Sequence, residues 1–208
     1  MELRAYLPTD LPHLLTICLQ TGDNGADATG RFRDPSLLGE YYAAPYAAYD
    51  ANQCLVLADT QGPCGYVVGA ADTTSFVRWF NREWLPVLRQ RYRGRRVPRD
   101  APDRALLDLI RQAARIPPCA AEYPAHLHID LLPRAQGQGW GRRMMQAWMQ
   151  RAYSLGAAGV HLGVSPANLP AIAFYARIGL HRLPEADGAV FFGARLPFAP
   201  PGGNVNRR

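Results

Sequence analysis

The sequence predicts a mixed α/β fold, and three observations carry that expectation. Short β-like runs alternate with amphipathic helical runs along the 208 residues. Hydrophobic residues make up 48% and charged residues 19%, enough apolar mass for a sizeable core and too little charge for a disordered chain. The 18 prolines and 19 glycines cut the sequence into short elements without any linker-like stretch. A single domain over 1–198 with a flexible tail at 199–208 is therefore expected.

In chain order, ELRAYLP reads as a short strand. Asp10 stands where a helix cap belongs before the amphipathic run LPHLLTICLQTG, with Pro12 in its first turn and Gly22 past its end. The Gly- and Asp-rich segment 23–34 predicts a loop, and 35–50 a second helix rich in Tyr and Ala. CLVLADTQGPCGYVVGAADT predicts a β-hairpin, with strands near 53–59 and 64–72 about the turn Thr60-Gln61-Gly62-Pro63. Phe76, Trp79, Phe80, Trp84 and Leu88 then recur at helical spacing. Gly94 to Pro102 interrupts that helix, and DRALLDLIRQAARI predicts another, stopped by Pro117-Pro118. The remainder runs as strand AHLHIDLL, glycine turn RAQGQGWG, helix RRMMQAWMQRAYSLG, strand GVHLGV, helix LPAIAFYARIG and closing hairpin LHRLPEADGAVFFGARL.

Charge is unevenly distributed. All 23 basic residues are arginine, a trait that suggests a GC-rich bacterial genome. Segment 74–118 carries eleven arginines against four acids, whereas the rest carries twelve against thirteen, so the net charge of +6 sits in this helical insertion. Three uses of the run stay open: a solvated helix face, a surface for an acidic acceptor or partner, and nucleic-acid contact, which ranks last because no nucleic-acid motif accompanies it. No run approaches the ~18 apolar residues of a membrane span, and the start lacks a charged region followed by an apolar one, so a cytoplasmic protein with no membrane partner is expected. Cys18, Cys54, Cys64 and Cys119 form no CxxC or Cys/His cluster, which points to buried thiols and to no metal.

A strand that ends in a glycine turn opening a helix can bind an anion, because backbone N–H groups approach it closely and the helix dipole favours negative charge. The turn here runs from Pro133 to Arg142. It lacks the GK[ST] of a Walker A loop, and its G-x-G-x-G spacing is not the dinucleotide G-x-G-x-x-G. Gln136-Gly137-Gln138-Gly139-Trp140-Gly141 matches the pattern Q/R-x-x-G-x-G/A. Arg134-Ala135-Gln136-Gly137-Gln138-Gly139 matches it as well, and Pro133, three residues before Gln136, favours the first register. Farther along, Asn168-Leu169-Pro170-Ala171-Ile172-Ala173-Phe174-Tyr175 forms N-x-x-A-x-x-x-Y, followed by Gly179-Leu180.

On these two motifs the sequence resembles the GNAT (Gcn5-related) N-acetyltransferase superfamily. Through AHLHIDLLP and the long helical insertion before it, the sequence more narrowly resembles the acetyltransferase-like C-terminal domain of O-GlcNAcase and its free-standing bacterial relatives. The resemblance implies a mixed, mostly antiparallel sheet with helices on both faces and a V-shaped opening between the strands at 125–132 and 159–164. It also implies acetyl-CoA-dependent transfer of acetyl directly to an acceptor amine, with acetyl-CoA (coenzyme A) bound and no metal. Part of that narrower group has lost cofactor binding, so a catalytically inactive acetyl-CoA-binding module (a pseudo-acetyltransferase) is the alternative. Residue by residue, the turn Gln136, Gly137, Gly139, Trp140, Gly141 and Arg142 would cradle the pyrophosphate. Ile129 and Leu131 would bond the pantetheine through their backbone, Asn168 would touch the coenzyme arm, and Tyr175 would protonate the leaving thiolate.

Attack by an amine also needs a base. His126, His128 and Asp130 share one strand face by the period of two, and the last two are the favoured catalytic pair, with Asp130 orienting or tuning His128. Asp72, at the end of the preceding strand, is a further candidate. The acceptor, whether peptide or small molecule, is not specified by any motif, and the apolar closing hairpin AVFFGARLPF offers a surface for a homodimer.

Overall fold

The computed structural model describes residues 1–199, so the expected tail lies outside the described residues except for its first position. Seven strands form one sheet: β1 (Glu2–Ala5), β2 (Cys54–Asp59), β3 (Gly62–Ala70), β4 (Ala125–Leu131), β5 (Gly159–Val164), β6 (His181–Ala186) and β7 (Ala189–Arg195), in the order β1-β2-β3-β4-β5-β7-β6. Every neighbouring pair is antiparallel except β4 and β5. β2 and β3 are the near-continuous apolar runs CLVLA and CGYVVGA, and they are covered on both faces, as such runs require. β1 is short, half-exposed and at an edge.

The helices are α1 (Leu11–Gln20), α2 (Leu37–Tyr42), α3 (Ala44–Asp50), α4 (Thr73–Trp79), α5 (Leu85–Arg91), α6 (Pro102–Arg111), α7 (Trp140–Ser154) and α8 (Leu169–Ile178). The single helix expected over 35–50 is in fact two. The chain breaks at Ala43 (φ −122°, ψ −53°), because Pro45 in the first turn of α3 has no N–H with which to continue the ladder of α2. In the insertion, α4 and α5 are joined by a wide π turn over Phe80–Trp84, just ahead of Pro86, whose missing N–H interrupts the regular pattern.

α7 buries Met144, Met145, Trp148, Met149 and Ala152 as one stripe at helical spacing. Trp148 is 1% exposed, and its indole N–H donates to the Gln53 carbonyl at 2.7 Å. Its ring leaves no room for a side chain at Gly69 on β3.

The insertion is tied down through polar groups. The fully buried Asp103 carboxylate accepts from the amides of Arg33 and Asp34 at 3.1 and 3.2 Å. The Glu40 carboxylate on α2 receives the Arg91 guanidinium and the Tyr92 hydroxyl (2.7 Å), while the Trp84 indole donates to the Glu40 carbonyl at 2.9 Å. Arg95 pairs with Asp34. Arg89 donates to the Ile110 and Gln112 carbonyls at the end of α6 at 2.8 and 3.1 Å, satisfying groups that a helix terminus leaves open. These arginines are internal ties rather than parts of a uniformly solvated face. The apolar residues of β7 are also used within the chain, with Val190, Phe192 and Ala194 buried.

A Cβ at Gly69 would lie 2.3 Å from the His126 carbonyl oxygen and 2.4 Å from the Trp148 ring. Gly69→Ala should therefore lower stability by about 2 kcal/mol or more in urea unfolding, since neither strand nor packed indole can move aside cheaply. Arg78→Ala, on the exposed side of α4, should stay within about 0.5 kcal/mol of the parent.

Candidate active site

β4 and β5 pair over only two positions, Ala125 with Val160 and His126 with His161, and then diverge. The divergence opens a cleft of about 1060 Å³, at the upper end of what small-ligand sites enclose. Leu127 to Leu131 form one wall and Leu162 to Ser165 the other. The glycine turn, α8 and the loop 24–26 after α1 complete the lining.

The turn is built for an anion. Gly139 caps α7 with φ +79°, and Gly137 has φ +73°, conformations in which a side chain is strained by roughly 1 kcal/mol. Around both positions, nothing lies within 4 Å of where a Cβ would stand. Six successive amides, from Gly137 to Arg142, donate to no group among the described residues, and the ladder of α7 begins only with the Arg143 amide on the Gly139 carbonyl. A row of open donors at a helix N-terminus is an anion-binding surface. Gln136 lines the cleft, but its side-chain amide donates to the Leu131 carbonyl at 2.7 Å and so fastens the turn to the end of β4. Arg134 faces away, bonded to Asp59 at 2.9 Å and to the Pro63 carbonyl at 3.1 Å. Trp140 does not line the cleft, and the Arg143 guanidinium lies 4.9 Å from its ring. The Asn168 side-chain oxygen caps α8 by accepting from the Ala171 amide at 3.1 Å, which leaves its NH₂ group for the cleft it lines.

β4 pairs with β3 in unbroken register from Leu131 opposite Gly65 to His126 opposite Ala70, so the expected alternation holds. His128 and Asp130 line the cleft, and so does Tyr175 of α8. His126 shares their parity but lies where β4 and β5 have already closed together, and it does not line the cleft. Both its ring nitrogens are engaged: Nδ1 lies 2.8 Å from the Thr73 hydroxyl and Nε2 2.9 Å from the Tyr46 hydroxyl. Because Thr73 gives its own proton to the Pro124 carbonyl at 2.6 Å, His126 Nδ1 carries the hydrogen and Nε2 accepts from Tyr46. His126 is thus a half-buried structural histidine. Asp72 is likewise engaged, capping α4 by accepting from the Ser75 amide at 2.8 Å.

Burial pushes the His128 imidazole down to about 4, helped by the neighbouring His161, so it is neutral at physiological pH. Burial acts oppositely on Asp130 and holds its carboxyl above the usual carboxylate range, although a hydrogen bond from Tyr66 works against that rise. Tyr175 is raised as well, by burial and by the Asp130 charge, so its hydroxyl stays protonated. Tyr66, a fully buried residue of β3, was not among the residues singled out from sequence; nor were Thr21, the loop 24–26, Phe174 and Arg177, which also line the cleft. Cys18, Cys54 and Cys64 are buried and Cys119 half-buried, all as free thiols. Among the described residues no three His, Cys, Asp or Glu side chains form a metal-binding group, and no helix is long and apolar enough to cross a membrane.

The model of the acetyltransferase (GNAT) family matches residues 27–180, well beyond the segment that carries the two motifs. The crystal structure of SsHAT superposes with a TM-score of 0.86 at 38% identity, covering 93% of this chain and 97% of that one. Rat (Rattus norvegicus) protein O-GlcNAcase is 23% identical over 190 residues, 89% of this chain but 20% of that protein, and the mouse (Mus musculus) protein matches to the same extent. The chain thus spans about one fifth of the length of these curated relatives. Drosophila melanogaster polyamine N acetyltransferase shares the fold, with a TM-score of 0.57 at 16% identity over 94% of this chain and 99% of that one.

His128 has a lower pKa in the fold than in the unfolded chain, so between about pH 6.5 and 4 the unfolded state binds more protons. Its contribution is fully present above that window and is lost as pH falls through it. Urea unfolding at pH 7 and pH 4.5 should show this loss, with His128→Gln recovering on the order of 2 kcal/mol of the difference.

Proposed function

Because the chain belongs to the acetyltransferase (GNAT) family, we propose that it transfers acetyl from acetyl-CoA directly to an acceptor amine. One observation carries this reading. The open amides of Gly137 to Arg142 and the unpaired edge of β4 lie along one cleft that also holds Asp130 and Tyr175. When bound, acetyl-CoA supplies an activated acetyl thioester. The residues present suit it: the open turn amides would hold the pyrophosphate, and the β4 backbone at Ile129 and Leu131, beyond the last pair with β5, would hold the pantetheine.

Two proton movements fall to side chains. Asp130 takes the proton from the acceptor ammonium or amine, and the elevation of its carboxyl by burial makes it a stronger base than an exposed aspartate. Tyr175 holds its proton at neutral pH and donates it towards the departing sulfur. His128, neutral through the working range, offers a ring nitrogen that accepts from the acceptor and orients it. The presence of Asp130, His128 and Tyr175 together in the cleft favours an enzyme over an inactive binding module.

Calorimetric titration with acetyl-CoA, followed by an amine panel, tests the reading. The expected result is micromolar binding, about 8 kcal/mol, and turnover that falls on the order of 10²-fold in Tyr175→Phe with little change in KM. Gly139→Asn should keep most of the affinity, whereas Gly139→Asp, of the same shape with a negative charge, should lose it. Binding without turnover of any amine would instead support the inactive module.

A further inference from the structure

Among the described residues, Tyr66 is the one side chain in hydrogen-bonding geometry with the Asp130 carboxylate, and the nearby Thr21 hydroxyl also favours its ionised form. Tyr66 and Asp130 are direct cross-strand partners in the β3–β4 register, so their side chains stand side by side on one face. The Tyr66 hydroxyl donates to Oδ2 of Asp130. Tyr66 is fully buried, whereas Asp130 reaches the cleft. Thr21 also lines the cleft, but its hydroxyl proton is directed to the Ile17 carbonyl at 2.8 Å. Asp130 Oδ1 receives no hydrogen bond from a described residue.

We propose that Tyr66 is a positioning residue for the acetyl transfer, holding Oδ2 of Asp130 from beneath so that Oδ1 faces the acceptor nitrogen as the base. This inference rests on the reading of Asp130 given above. Tyr66 touches neither substrate nor coenzyme. Its place in the core fixes the carboxylate rotamer, and its donated proton favours the ionised form, the one able to accept. The phenol keeps its proton, because burial and the adjacent carboxylate push its own ionisation far up. No proton leaves Tyr66 in the cycle: the acceptor proton goes to Oδ1 and returns to solvent from there.

The test separates this role from packing. In the free protein, ¹³C NMR titration of labelled aspartate should show the Asp130 carboxyl shifting upward by about one pH unit or more in Tyr66→Phe. The acidic limb of kcat/KM should move by the same amount, with kcat reduced about tenfold and KM for acetyl-CoA unchanged. In an Asp130→Asn background, Tyr66→Phe should cost no further activity. If the phenylalanine variant folds poorly, the wild-type protein supplies its own readout: a slowly exchanging Tyr66 hydroxyl proton that disappears as Asp130 protonates. An Asp130 titration unmoved by Tyr66→Phe, or a tenfold loss that persists in the Asp130→Asn background, would overturn the positioning role. Full activity of Asp130→Asn with an altered titration in Tyr66→Phe would instead remove Asp130 as the base while leaving the hydrogen bond intact.

Discussion

Two parallel strands that pair for two residues and then part set the conditions for everything else in this molecule. Backbone N–H and C=O groups along the β5-facing edge of β4 lose their ladder partners from Leu127 onward, in a position buried enough that lost hydrogen bonds are expensive. The other neighbouring pairs hold four or more register positions, with shifts between Leu57 and Ala58 and between Leu183 and Ala186, so the early parting of β4 from β5 stands out within the sheet. The fold holds the gap open from outside. α7 packs Trp148 and three methionines under β3 and its neighbours, and antiparallel β7 keeps β5 in place across six register pairs.

The same divergence explains why the polar groups behave as they do. A single turn over Pro133–Ala135 links β4 to the glycine turn, so the open edge of the strand and the open amides from Gly137 to Arg142 line the same cleft. Gln136 and Arg134 stabilise that link by bonding the turn to β4 and to the β2–β3 hairpin. In the same cleft, burial keeps His128 neutral and Tyr175 protonated and holds the Asp130 carboxyl above the usual carboxylate range. The opposite shifts on a carboxyl and an imidazole thus come from one cause, burial.

How much of this the sequence declared depends on range. The β4 strand, the glycine turn and the Asn168–Tyr175 element are local patterns, and the structure brings all three to the cleft. Tyr66 was invisible because its partner is 64 residues away across the helical insertion, and no local periodicity sets the register of β3 on β4. His126 and His128 have the same parity; only the point where β4 meets β5 separates a structural histidine from a cleft histidine. The insertion was legible as helices but not in its anchoring, because Asp103 and Glu40 looked like ordinary acids until their partners at Arg33, Arg91 and Tyr92 came together. The split at Ala43 follows from Pro45, a local signal outweighed by the apolar spacing around it.

Backbone hydrogen–deuterium exchange with and without acetyl-CoA tests the central claim most directly, that the divergence of β4 from β5 creates a coenzyme site. The amides of Gly137 to Arg142 have no internal acceptor, so they should exchange quickly in the free protein and become protected together with Ile129 or Leu131 when acetyl-CoA binds. Protection confined to the arginine-rich insertion, or none in the turn at saturating acetyl-CoA, would contradict the account.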